Sequence, residues 1–291
     1  MKVVYLACQE TLPGSENRRV DAFEHDLMMA QLQPAFKAEA CELRDVLWDD
    51  KTVDWPSLDA VIIGTTWDYT ERYDEYLKTI NQINAVTPVF NSPSLVDWNT
   101  DKRYLRDLAS DGVRIIPTHW VDDPETEVDW ASLFDEFDTD KLVIKHQVGA
   151  NADGQVLLKR GDSAPTLDKA VMIQPFLRAV QEEGEHSMIF IDGQFSHALT
   201  KQPASGDYRI QSAYGGIEIE ASPPKEDVNT ALSVLEALPE KPLYARVDML
   251  RDNHGQLSLI ELELVEPFLY PVQGPELGTR LIQALKRKLQ F

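Results

Sequence analysis

The segment Ser258-Leu-Ile-Glu261-Leu-Glu263-Leu-Val-Glu266-Pro267 sets two carboxylates two residues apart inside an apolar run. Side chains on a strand alternate between faces, so Glu261 and Glu263 must point the same way. Two like charges side by side cost repulsion, and desolvation too if buried, unless a cation lies between them. With Asp248 arriving from the preceding strand, the pattern reads as a site for a divalent metal bound through oxygen. The competing reading is an edge strand whose glutamates face water.

At 291 residues the chain can build two or three lobes, each with its own core, and 43% hydrophobic with 26% charged residues is ordinary for a soluble enzyme. A formal net charge of -21 argues against DNA, RNA and anionic membranes as partners, because each would be repelled through a field that salt only partly screens. Cys8 and Cys41 are the only cysteines, so neither a disulfide framework nor a zinc site can be assembled from them. The first apolar run, Val3 to Ala7, is too short for a signal-peptide core. No segment approaches the roughly 20 apolar residues of a membrane span. The expected location is the cytoplasm.

Apolar runs at Val3 to Ala7 and Ala60 to Gly64, with the segment Ala40 to Asp45 between them, alternate with helical patterns at Phe23 to Ala35 and Tyr73 to Ile83. This predicts a mostly parallel α/β lobe over residues 1–95. Thr87 to Pro93 reads as a strand closing on a proline turn, and Asn99 to Ala109 as one capped helix. Short strands at Val113 to Pro117, Leu142 to Lys145 and Ala170 to Gln174, around an acidic loop from Asp122 to Asp140, suggest a small α+β lobe over 96–174. A strand-rich lobe over 175–291 follows, with strands at Ser187 to Ile191, Gln194 to Thr200 and Tyr244 to Leu250. Helices are expected near Glu226 to Leu238 and Glu276 to Lys288. No internal repeat is present.

Lys145 ends an apolar strand and precedes Gly149-Ala-Asn-Ala-Asp-Gly154, a small-residue loop able to bring backbone N–H groups close to phosphate oxygens. Read alone, that loop is more readily a hairpin turn. Lys102 is a second candidate cation for phosphate, or a solvated helix lysine. Ile173-Gln174-Pro175-Phe176-Leu177 has the character of a linker whose backbone pairs with an adenine edge while apolar side chains sandwich the ring. Glu185 beyond it can hold a ribose hydroxyl. Lys201, Arg209 and Gln211 flank a flexible turn, where cations are placed to hold a transferring phosphoryl group and a substrate carboxylate. His197, alternating with apolar residues, reads as a structural histidine. No Ser/His/Asp or Cys/His nucleophilic set is legible.

These pieces together resemble the ATP-grasp superfamily, in the branch around prokaryotic glutathione synthetase and the cyclo-ligases similar to D-cycloserine synthetase. The matching motifs are Thr66-Trp67-Asp68-Tyr69, Trp98 to Leu105 with Lys102, Val143-Ile-Lys145 with its glycine loop, and Gln174-Pro-Phe-Leu177. They continue with Gly184-Glu185-His-Ser187, Phe195-Ser-His-Ala198 through Lys201, and Asp207-Tyr-Arg209-Ile-Gln211. Tyr244-Ala-Arg246-Val-Asp248, Glu261-Leu-Glu263 and Glu266-Pro267 complete the set.

The resemblance implies an ATP-grasp fold with a Rossmann-like N-terminal lobe, a central lid lobe and a C-terminal antiparallel-sheet lobe. It implies an ADP-producing carboxylate–amine ligase or cyclo-ligase that forms a C–N bond through an acyl phosphate on a small amino-acid-like or peptide-like substrate. The rival outcomes are a phosphotransferase using the same machinery and a nucleotide-binding protein without catalysis. By the same resemblance, Lys102, Lys145, Gly149 and Gly154 bind ATP phosphates, Gln174, Phe176 and Leu177 take the adenine, and Glu185 holds the ribose. Asp248, Glu261 and Glu263 bind two magnesium ions, with manganese as an alternative. Lys201 and Arg209 face the γ-phosphate and acyl phosphate, and Arg246, with Trp67 and Tyr69, belongs to the substrate pocket. A homodimer is one option, since ligases of this shape are often dimers. This chain departs from the pattern at His146, where many relatives carry proline, and at Asn151 and Asp153 inside the glycine loop.

Overall fold

In the computed structural model, which describes residues 1–149, 154–204, 210 and 215–290, the first apolar run forms strand β1 (Lys2–Ala7), buried from its second residue onward. Helix α1 (Phe23–Ala38), β2 (Glu42–Leu47), β3 (Ala60–Ile63), α2 (Tyr73–Asn84) and β4 (Val89–Phe90) follow in the expected alternation. The four strands pair in parallel in the order β2-β1-β3-β4. Buried apolar residues on consecutive positions of β1 and β3 are what a parallel sheet covered on both faces requires.

The single helix expected over Asn99 to Ala109 is two, α3 (Pro93–Thr100) and α4 (Tyr104–Ser110). The start of α3 is set by Ser92, whose hydroxyl accepts from the Leu95 N–H, with Pro93 in the first turn. Leu95 is buried inside this helix. Asn99 therefore opens no helix. Its amide donates to the Leu262 carbonyl at 2.9 Å and accepts from the Leu264 N–H at 2.8 Å, so tertiary backbone partners displace the local cap.

A second sheet comprises β5 (His119–Val121), then, after helix α5 (Trp130–Glu136), β6 (Lys141–His146), β7 (Val156–Lys159) and β8 (Val171–Pro175), all antiparallel in the order β5-β8-β6-β7. The acidic loop expected from Asp122 to Asp140 thus contains a helix. Asp129 caps it by accepting from the Ser132 N–H, and Leu133 and Phe134 are buried in the lobe's small core. The strand expected over Val113 to Pro117 does not join this sheet. Ile116 donates to the Leu259 carbonyl and Leu259 to the Arg114 carbonyl, so the segment lies against the C-terminal sheet.

After α6 (Ala179–Glu182) come β9 (Glu185–Ile191), β10 (Gln194–Gln202), β11 (Ile217–Ala221), α7 (Lys225–Glu236), β12 (Tyr244–Arg251), β13 (Leu257–Glu263) and α8 (Leu277–Leu289). The strands form an antiparallel sheet in the order β11-β10-β9-β12-β13. One face is apolar throughout, with Met188, Phe190, Val247, Met249 and Leu262 in a cluster that includes Leu105, Leu108 and Val234. The other face changes character along the strands. Ile189, Ile191, Leu199 and Tyr244 share a core with α1 and α8, whereas Glu185, Ser187, Lys201, Arg246 and Asp248 continue the same face as ionised and polar groups. The close approach of α8 to α1 depends on Gly278, where a Cβ would come within 2.8 Å of the Ala35 Cβ and the Gln31 carbonyl. Among the described residues no helix is long and apolar enough to cross a membrane.

Because Asn99 satisfies two buried backbone groups next to the end of β13, Asn99→Ala is expected to destabilise the protein by about 3 kcal/mol. A lowered urea midpoint with an unchanged denaturant slope would show it.

Candidate active site

Strand register brings the ionised residues together. Asp248 lies directly opposite Glu261, and Arg246 opposite Glu263, across β12 and β13. Ser187 of β9 lies opposite Asp248, and Lys201 of β10 is flanked by Glu185 on one neighbouring strand and Glu218 on the other. The ladder of β12 with β13 is interrupted by a bulge: Met249 pairs with Leu259, and the next residue, Asp248, with Glu261. Ile260 is the extra residue, so Ile260 and Glu261 both line the cleft although they are consecutive.

Every buried carboxylate of this face has a cation. Lys201 Nζ donates to Glu185 Oε1 at 3.0 Å and to Asp248 Oδ2 at 3.3 Å. Asp248 also accepts from Arg246 Nε at 3.0 Å and from the Ser187 hydroxyl at 2.5 Å. Arg246 reaches Glu263 through its other arm. From the turn between α3 and α4, Lys102 pairs with Glu261 at 3.2 Å and donates to the Gly149 carbonyl at 2.5 Å.

The charge states follow from these contacts. Burial works against the Asp248 carboxylate, yet Arg246, Lys201 and Ser187 outweigh it and hold its pKa below the usual value. Glu261 is held low in the same way by Lys102 and Lys145. Glu263 is pushed up to about 7, because burial and the charges of Asp248 and Glu261 exceed what Arg246 returns. Burial lowers the Lys145 ammonium, which makes no ion pair among the described residues. A desolvated, unpaired cation in a cleft is poised for an anion.

These groups line one cleft of about 520 Å³ between the three sheets. Its apolar end is built from Ile116, Val143, Phe176, Leu177, Leu250 and Ile260, next to Gln174, whose amide donates to the Thr118 hydroxyl at 3.0 Å. Lys102, Lys145, Asp248, Glu261 and Glu263 occupy the middle. At the far end stand Trp67, Tyr69, Phe268 and Tyr270, with Arg19 stacked 5.2 Å from the Trp67 ring. Gly149 also lines the cleft. Gly154, at φ +67°, lies against the His146 ring, which a Cβ there would meet at 2.2 Å. Arg209 and Gln211, with Asn151 and Asp153 of the glycine loop, lie outside the described residues. His197 is satisfied on both ring nitrogens, by Ser196 and the Leu269 carbonyl.

Among the described residues no three His, Cys, Asp or Glu side chains converge as a metal cluster. Asp248, Glu261 and Glu263 are nonetheless a set of hard oxygen donors on adjoining strands, a composition that suits magnesium and not a soft metal.

Sequence reasoning did not single out Arg19, Glu24, Glu218, Phe268 or Tyr270, all of which line the cleft. Glu218 was hidden because β11 is a short strand, and only its register opposite Lys201 brings it to the site. Tyr270 turns the chain at φ +49°, a conformation for which a tyrosine carries no local signal.

Glu266, which also lines the cleft, is pushed up to about 8 from its ordinary 4.5 by burial, reinforced by the Glu263 charge. The folded state therefore keeps a proton that the unfolded chain releases. Its contribution to stability is complete below pH 4.5 and is lost as the pH rises through about 8. The thermal midpoint of the ligand-free protein is expected to fall across this range, with a shallower slope in Glu266→Gln, as read by calorimetry at a series of pH values.

Residues 3–91 match the family described as D-cycloserine synthetase DcsG, N-terminal domain. The cycloserine biosynthesis protein DcsG of Streptomyces lavendulae is 29% identical over 273 residues, covering 87% of this chain and 89% of the relative. The crystal structure of D-cycloserine synthetase DcsG superposes with a TM-score of 0.82 at 26% identity, over 99% of this chain and 100% of that one. D-alanine–D-alanine ligase from Bacillus anthracis, complexed with ATP, matches at TM-score 0.70 and 16% identity, over 100% and 97% of the two chains. The ATP-grasp ligase PsnB, complexed with minimal precursor, Mg and ADP, matches at 0.63 and 17%, over 98% of each. The fold is that of the ATP-grasp ligases.

Proposed function

Because the chain is an ATP-grasp ligase similar to D-cycloserine synthetase, we propose that it uses ATP to activate a small carboxylic acid and joins the acyl group to an amine. The amine belongs either to a second molecule or to the same one, in which case a ring closes. The observation that carries this reading is the unbroken run, in one cleft, of an apolar slot, a line of lysines and carboxylates, and an aromatic end.

The slot formed by Phe176, Leu177 and Ile260 beside Gln174 takes the adenine, and Glu185, at the edge of the charged face, takes the ribose. Lys102, Lys145 and the backbone at Gly149 and Gly154 hold phosphate oxygens. Asp248, Glu261 and Glu263 hold magnesium, two ions with manganese as a substitute, which when bound supplies positive charge on the phosphates. Lys201 and Arg246, with Arg209 by resemblance, hold the transferring phosphoryl group and the substrate carboxylate. A carboxylate oxygen attacks the γ-phosphorus and ADP leaves. The amine then attacks the acyl carbon, the C–O bond to phosphate breaks, and phosphate departs with the electron pair as the amine loses a proton. No side chain becomes covalently bound; the residues contribute position and preorganised charge. A net charge of -21 supports an enzyme with neither nucleic acid nor an anionic membrane as partner.

Magnesium-dependent ADP release, measured with pools of small carboxylic acids in the presence and absence of an amine pool, tests the reading. Glu263→Gln is expected to lower turnover by about 100-fold or more while leaving the circular dichroism and thermal midpoint close to wild type. Full activity in that variant would remove Glu263 from the metal site.

A further inference from the structure

Gln147 follows β6 and is only 3% exposed, yet it does not line the cleft. Its side-chain nitrogen lies 2.9 Å from Asp122 Oδ1, 3.1 Å from the Val171 carbonyl and 3.3 Å from the Val121 carbonyl. One side chain therefore ties the adjoining ends of β6, β8 and β5. The Gln147 N–H donates to the Ala170 carbonyl at 3.1 Å, and its own carbonyl accepts from the Lys102 N–H at 2.8 Å. A buried amide with this many partners holds the main chain of its own residue in place.

The bond to Lys102 crosses from one lobe to another. Lys102 stands in the turn before α4, and its ammonium returns to the same segment, donating to the Gly149 carbonyl while pairing with Glu261 of β13. Four residues further on, Arg106 meets Asp122 with both arms, at 2.9 and 3.0 Å, and its guanidinium stacks 4.5 Å from the Trp120 ring. Asp122 is thus shared between Arg106 and Gln147. The opposite side of α4 is committed to the C-terminal sheet: Leu105 and Leu108 belong to its apolar cluster, and the Tyr104 hydroxyl accepts from the Leu262 N–H at 2.8 Å. Helix α4 is the joint between the two sheets, and Gln147 and Asp122 fasten it to the second.

We propose that Gln147 is a positioning residue for phosphate binding, which rests on the ligase reading above, in which Lys102 and Lys145 hold phosphate oxygens. Through its carbonyl it sets Lys102 at a fixed distance from Lys145, so that the two lysines meet the nucleotide as one frame. Lys145 lies only two positions before Gln147. The spacing of the two cations therefore depends on a short extended segment and one hydrogen bond, and not on a long path through two cores. Charge already in place binds an anion more tightly than charge that must first be gathered. The pair of Arg106 with Asp122 supports the same joint from outside, where Asp122 is 57% exposed, and so carries the smaller share.

The test reads binding and needs no turnover. Dissociation constants are measured for ATP with magnesium by titration calorimetry and for adenosine by ligand-observed NMR, since adenosine fills the apolar slot but offers the lysines no phosphate. Gln147→Leu is expected to weaken ATP by about tenfold and adenosine by about twofold at most. Arg106→Met should weaken ATP by about threefold and leave adenosine unchanged. In a Lys102→Met background neither substitution should weaken ATP further, because both act through that lysine.

Equal weakening of ATP and adenosine by Gln147→Leu would mark a merely structural role and overturn the assignment. Full additivity with Lys102→Met, or an ATP affinity unchanged in both variants, would overturn it too. Should Gln147→Leu fail to fold, as its thermal midpoint would show, Arg106→Met decides by the same criteria. Absence of ATP binding to the wild-type protein overturns the ligase reading and this assignment with it, whereas ATP binding that ignores the variants overturns the assignment alone.

Discussion

Five ionised or polar side chains can be buried on one face of a sheet, with Glu261 and Glu263 half-buried beside them, only if opposite charges are neighbours, and the register of β10, β9, β12 and β13 achieves this. Lys201 stands between Glu185 and Asp248, Arg246 between Asp248 and Glu263, and Lys102 reaches in from a helix turn to Glu261. An isolated buried carboxylate loses several kcal/mol of hydration, so each depends on a cation of its own or a neighbouring element. Shifting any strand by one residue would turn its charges into the apolar core and leave the partners unpaired. The charged face thus fixes the register of the sheet as firmly as the hydrophobic face does.

The rest of the molecule is arranged to cover that face without sealing it. The first lobe contributes α1 and the Trp67 to Tyr69 segment at one end, and the second sheet contributes Lys145 in the middle and Gln174 at the other end. Cores shared between lobes, such as the packing of α1 with α8 and of α4 with the C-terminal sheet, hold the walls in place.

Much of this was legible in the residues. Alternation placed Glu261 and Glu263 on one face, and the parallel first sheet followed from its strand and helix order. What escaped was tertiary in origin. Asn99 had the local form of a cap, but two buried backbone groups of another lobe claimed its amide. The segment around Ile115 had the pattern of a strand, and nothing local showed which sheet it would join. Glu24 and Glu218 lie nearly two hundred positions apart, so their approach is a property of the assembled fold alone.

The bulge at Ile260 separates two duties that share one strand. Core-facing residues run Leu257, Leu259, then Leu262 and Leu264, so the spacing slips by one just where the strand enters the cleft. Strict alternation from Leu257 and Leu259 would have turned Glu261 and Glu263 into the core; the inserted residue turns them toward the cleft and adds an apolar neighbour beside them. An apolar and an ionised residue of the cleft are therefore adjacent in sequence because of one inserted position. Such an arrangement lets one be altered over evolutionary time, or by design, while the other stays in place.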